Sequence, residues 1–232
     1  MACRDSEMSP EEFLVWVLSV TQAEIWSTGT LPAITFVIGS KGYVVTGYAQ
    51  AIHAYAAALD LAPDYNEARL GLGDAQQAQG RIEAAIAEYE RVLATEPESA
   101  RGHYALGKIY YSEKGLYHEA VAEFQRAISL EPRLLEAHLS LGDLFSEKGL
   151  HQEAIDRYRC VLSIDPQHPG AAYGLALVYE QVDISKAVQQ WERYIDLAST
   201  LPSEKDWVGI AKKHLQKLQR AGTTITALGR RP

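Results

Sequence analysis

Residues Tyr110–Ala120 read YYSEKGLYHEA, and residues Leu144–Ala154 read LFSEKGLHQEA. Seven of the eleven positions match at an offset of 34, which marks an internal repeat. Working outward, an alanine followed four residues later by an aromatic recurs five times. The pairs are Ala51 with Tyr55, Ala85 with Tyr89, Ala120 with Phe124, Ala154 with Tyr158, and Ala187 with Trp191. Pro63, Pro97, Pro132 and Pro166 close four of the units. Upstream stand Ile38-Gly39, Leu72-Gly73, Leu106-Gly107, Leu141-Gly142 and Leu175-Ala176.

Each recurring residue has a physical reason. Alanine and glycine are small where two helices approach closely. A spacing of four puts alanine and aromatic on one helix face, and the ring fills the space between neighbouring units. Proline cannot continue a helix, so it ends the second helix of a pair. Gly80, Gly115 and Gly149 stand where a first helix must end in a left-handed residue.

These positions resemble the tetratricopeptide repeat family. His103, Leu106, Gly107, Tyr110, Ala120, Phe124 and Pro132 follow its pattern, with one extra residue before Gly115 and His103 in place of the usual tryptophan. Leu141, Gly142, Phe145, Ala154, Tyr158 and Pro166 follow it in the next unit. The first unit departs most: Gly42 stands where an aromatic is expected, and β-branched residues crowd its first helix. The resemblance spans about residues 32–200. It implies an all-α, right-handed α-solenoid of stacked helical hairpins with extra helices at both ends. The expected divisions are an N-terminal helix and loop at 1–31, five hairpins at 32–202, a capping helix at 203–220 and a flexible tail at 221–232. Ser9-Pro10-Glu11-Glu12 starts the N-terminal helix, expected to reach about Trp26. Trp207, Ile210, Ala211, Leu215 and Leu218 give the capping helix its apolar stripe.

Composition narrows the function. The chain has 232 residues, 47% of them apolar and 22% charged, which excludes a disordered chain. Its net charge of −8 is uneven. Residues 1–206 carry −14, whereas Lys212, Lys213, Lys217, Arg220, Arg230 and Arg231 leave the remainder basic with no acidic residue. An acidic body disfavours nucleic-acid backbones. Two cysteines, Cys3 and Cys160, suggest no disulfide framework. The apolar run Phe13–Leu18 is too short to span a bilayer. A cytoplasmic protein is expected.

Motifs for chemistry are lacking. No phosphate-binding loop or His-Glu-x-x-His pattern occurs. The Gly39–Gly42 step suggests a nucleic-acid-clamping loop only in isolation, since repeat signals begin directly after it. His103 and His138 recur with the repeat and read as packing residues. Neither cofactor nor metal nor catalysis is expected.

In this family the first helix of each pair lines a concave groove. Beside the packing stripe of the third unit runs a second one, Arg101, Tyr104, Lys108 and Tyr111. Equivalent positions are Glu67, Leu70, Asp74 and Gln77, then Glu136, Leu139, Asp143 and Ser146, then Tyr173, Leu177 and Glu180. The expected occupant is a protein or peptide segment with apolar anchors and some basic residues. Some family members clamp acidic chaperone tails with Lys and Asn, but Asp74, Phe36 and Ser40 hold the matching sites here. The expected function is an interaction scaffold or assembly factor. The alternative is a membrane-peripheral adaptor using the apolar N-terminal helix and the basic C-terminal end.

Overall fold

The structure, a computed structural model, describes the backbone of residues 33–38, 41–46 and 48–228 and the side chains of residues 48–220. The expected N-terminal helix lies outside these residues. Two strands come first, β1 (Ala33–Ile38) and β2 (Lys41–Thr46). Ten α-helices follow among the described residues. They are α1 (Tyr48–Leu61), α2 (Asn66–Ala78), α3 (Ile82–Thr95), α4 (Ala100–Ile109) and α5 (Tyr117–Leu130). Then come α6 (Leu135–Glu147), α7 (His151–Ile164), α8 (Pro169–Val182), α9 (Ile184–Ala198) and α10 (Lys205–Leu228).

Two compact units form, residues 1–116 and 117–232. In the first, α1 packs on α2, α2 on α3 and α3 on α4, and α2 also meets α4. In the second, each of α5 to α10 packs on the next, and α6 also meets α8. Contact with the next helix and the next but one is what stacked hairpins require. The fold class is the expected all-helical solenoid type, with one correction at its start. Residues 33–38 and 41–46, in the span expected as the first helix of the first hairpin, form an antiparallel ribbon pairing Ala33 with Thr46 through Ile38 with Lys41. The β-branched residues Ile34, Thr35, Val37, Ile38, Val44, Val45 and Thr46 account for it, because they favour extended backbone. Among the described residues, helix pairing therefore begins with α1.

The repeat residues do the work assigned to them. All five alanine–aromatic pairs are buried. Each closing proline stands two residues beyond a helix end: α1, α3, α5 and α7 stop at Leu61, Thr95, Leu130 and Ile164. Gly80, Gly115 and Gly149 have φ of 81°, 62° and 72°, the left-handed conformation expected of them. The extra residue before Gly115 is absorbed by a π-helical turn over Tyr110–Lys114. There the Leu116 amide reaches back six residues to the Tyr110 carbonyl, whereas Arg81 and Leu150 reach back five, to Gln76 and Phe145.

The C-terminal helix also differs from expectation. It continues to Leu228, so residues 221–228 are helical rather than a structureless tail. No proline interrupts this stretch, the helix runs on through Gly222, and Gly229 follows its last residue. Among its described side chains, Val208, Ala211 and Leu218 are buried and Leu215 is half-buried. Trp207 and Ile210, expected on that stripe, are 49% and 37% exposed.

Candidate binding face

The face begins with what the first helices must bury. On α4, Gly102, Ala105, Leu106, Gly107 and Ile109 are buried. Tyr104, Lys108 and Tyr111 lie beside them and are half-buried, and Arg101 is exposed. The Arg101 guanidinium bonds the Glu67 carboxylate of α2, 34 residues away. Two residues expected on one line in neighbouring hairpins thus meet, which fixes the register of the line in the first unit.

Asp74 and Asp143 have a second task. The Tyr89 hydroxyl donates to Asp74 Oδ1 at 2.7 Å, and the Tyr158 hydroxyl donates to Asp143 Oδ1 at 2.6 Å. Tyr89 and Tyr158 are the aromatics of their repeats and are buried, so each hydroxyl needs an acceptor. In the third repeat the corresponding residues are Phe124 and Lys108: the ring has no hydroxyl and the helix carries no carboxylate. Burial and the charge of Asp74 raise the Tyr89 phenol above its usual pKa. Burial also lifts Asp143 above the usual carboxylate range, against the opposing pull of the Tyr158 hydrogen bond.

Other expected groove residues turn inward. Leu70 is only 3% exposed, packed with Ala85, Tyr89, Val92, Leu106 and Ile109. It belongs to the core of the first unit rather than to a surface, because α3 and α4 both close on that side of α2. Gln77 is half-buried. In the second unit Leu139 and Leu177 are half-buried against the main core, and Asp143 retains an exposed edge. Glu136 is exposed and Ser146 half-buried.

Tyr173 departs furthest from the expectation. Its ring meets Trp191, Tyr194 and Trp207 edge-on, at 5.1, 5.3 and 5.5 Å between centroids. Its area is used in seating α10, and burial raises its phenol pKa. Glu180 is drawn into the same junction. One carboxylate oxygen accepts from Trp191 Nε1 at 2.6 Å and meets His214 Nδ1 at 2.7 Å. The His214 ring leans on Trp191 at 5.1 Å. Glu180 and Tyr173 therefore hold the cap at the end of the second unit.

A further recurrence escaped the sequence reading. Arg69, His103 and His138 stand at equivalent positions, and each bonds the carbonyl of the proline six residues before it. The distances for the histidines are 3.1 and 3.0 Å. The signal was the constant interval from Pro63, Pro97 and Pro132 to a side-chain donor. Burial depresses the His138 pKa, which suits a neutral ring. Cys160 Sγ lies 3.6 Å from the same nitrogen.

Comparison with known proteins agrees with this geometry. Two family models described as tetratricopeptide repeat match residues 48–109 and 111–169. No curated protein sequence matches. Among solved structures, a crystal structure of MamA protein is similar at 27% identity and TM-score 0.56, covering 66% of this chain and 83% of that one. YrrB, a TPR protein with an unusual peptide-binding site, is 24% identical with TM-score 0.56, covering 72% of this chain and 84% of that one. A thermophilic TPR protein in Thermus thermophilus is 21% identical with TM-score 0.60, covering 71% and 90%. The last two likenesses speak for fold alone. With the repeat register, the left-handed glycines and both family matches in agreement, the chain belongs to the tetratricopeptide repeat family.

Proposed function

We propose that this chain is a non-catalytic interaction scaffold or assembly factor of the cytoplasm, and that it binds a peptide segment of its partner along α4. One observation supports this above the others: Tyr104, Lys108 and Tyr111 share a half-buried stripe beside the packing face. Half-buried aromatics offer large contact area at small entropic cost. Lys108 takes the position that Asp74 takes in the preceding repeat, so it changes the sign of charge along the line within the first unit. A segment with apolar anchors would use the tyrosines, and its basic residues would use Glu67 and Asp74 of the same unit. YrrB, a protein of the same fold, has a peptide-binding site.

The test is titration of purified variants against the partner that co-purifies with the full chain. Tyr104→Ala combined with Tyr111→Ala should weaken binding by about 2 kcal/mol or more, with an unchanged helical signal and melt. Lys108→Glu should change affinity in the direction set by the charge that the partner presents there. Unchanged affinity in the double tyrosine variant would place the binding site elsewhere.

A further inference from the structure

Among the described helices, α10 carries the most basic residues: Lys205, Lys212, Lys213, Lys217 and Arg220. Val208, Ala211, Leu215 and Leu218 form one stripe, turned into the second unit. Ile210, Lys213 and Lys217, spaced by three and four, form the opposite stripe. All three are exposed, as are Lys205, Lys212 and Arg220. Against these cations, residues 205–220 contain one acid, Asp206. Trp207, 49% exposed, and Ile210, 37% exposed, add apolar surface at the N-terminal part of the same side.

We infer that this side of α10 docks the protein on an anionic lipid surface. Charge complementarity excludes a zwitterionic or cationic surface. Lysine predominates, and an ammonium is a hydrated point charge that suits diffuse attraction to many headgroups. A dedicated carboxylate partner is better gripped by the planar fork of arginine. The exposed isoleucine beside the lysines, with the part of the Trp207 indole that its contact with Tyr173 leaves open, supplies what an interfacial helix inserts at the headgroup boundary. No helix among the described residues is long and apolar enough to cross a membrane, so attachment of this kind is peripheral. The acidic body does not prevent it. Its charge is screened over about 8 Å at physiological salt, while each lysine near the surface remains attracted.

The experiment is co-sedimentation of the full chain with vesicles of phosphatidylcholine alone and of phosphatidylcholine mixed with phosphatidylserine. Binding is expected only to the mixed vesicles, and raised salt should weaken it. The variant Lys212→Glu, Lys213→Glu, Lys217→Glu should lose at least about 100-fold in partition, since removing each basic residue alone costs about a factor of five. Ile210→Ser should reduce binding several-fold while keeping the salt dependence. If the charge-reversed variant loses its helical signal, the corresponding lysine-to-glutamine variant carries the test. The proposal fails if the mixed vesicles do not pellet the chain, if neutral vesicles pellet it equally, or if a folded lysine variant binds unchanged. It also fails if soluble polyglutamate or an RNA oligonucleotide binds as tightly as the vesicles and Ile210→Ser has no effect. That outcome would assign the side to an acidic macromolecule.

Discussion

At Tyr89 a buried ring carries a hydroxyl that only Asp74 is seen to accept from, and this couples a core residue to a residue of the candidate face. The third repeat avoids the coupling by having Phe124 and Lys108 in those places. Two changes should therefore be cheaper together than apart. Asp74→Lys alone strands a buried hydroxyl and should cost about 1–3 kcal/mol. Tyr89→Phe alone loses one hydrogen bond and should cost about 0.5–1.5 kcal/mol. The double variant reproduces the third repeat and should recover much of the loss, with a coupling of about 0.5–3 kcal/mol. Urea denaturation of the four proteins measures it, and strict additivity would mean that the hydrogen bond contributes nothing. The same reasoning shows why the groove line was only partly legible. A one-letter Asp on an exposed-looking stripe does not reveal that a tyrosine fifteen residues later has claimed one of its oxygens. Leu70 and Tyr173 were misplaced for a related reason, since which flank of a first helix is covered depends on neighbours that periodicity does not specify.

Within the elements, closeness of approach is set by glycine. A Cβ on Gly174 would sit 2.5 Å from Tyr158 Cζ, and one on Gly142 would sit 2.9 Å from Cε1 of the same ring. Tyr158 is thus clasped between α6 and α8. Gly209 of α10 is the opposite case, with nothing within 4 Å of a built Cβ. Alanine should therefore have opposite effects at the two sites. Gly174→Ala gains helix propensity of about 1 kcal/mol but overpacks, and a net destabilisation of about 1–2 kcal/mol is expected. Gly209→Ala keeps the propensity gain and should stabilise by about 0.5–1 kcal/mol. Thermal melts of the two variants decide it, and a stabilising Gly174→Ala would show that the ring has room to move. The small residues at Gly73 and Gly142 were legible because they recur beside leucine. Gly174 was not, since its partner ring belongs to the preceding repeat. The π-helical turn at Tyr110–Lys114 was visible as one surplus residue, though its form was not. The ribbon at 33–46 announced itself through β-branched composition, which the pull of the period overrode.

For the whole chain, the period of 34 specifies a stack, and a stack must end. Repeats bury their apolar faces on neighbours, so the last one needs a cover with a polar outer side. In the second unit α10 is that cover: it packs on α9, buries Val208, Ala211 and Leu218, and turns its lysines outward. Beneath it lie Trp191 and Tyr194, both buried, with Tyr194 donating to Glu204 at 2.9 Å and Trp191 to Glu180 at 2.6 Å. Ending the chain at Thr200 would remove Glu204, His214 and the whole stripe at once. Each buried aliphatic side chain of the lost stripe contributes about 1.5–3 kcal/mol at most. Part of that is returned by the ordering entropy of a helix that no longer has to form. A net loss of about 2–5 kcal/mol is expected, read as a lower urea midpoint by circular dichroism. Newly exposed aromatic surface should also bind a hydrophobic dye in the folded baseline. Leu218→Ala in the full chain isolates the packing part and should cost about 2–5 kcal/mol, because the residue is 8% exposed. If the shortened chain keeps its midpoint and binds no dye, α10 is an appendage rather than a cap, and the aromatic cluster around Tyr173 is stable without it.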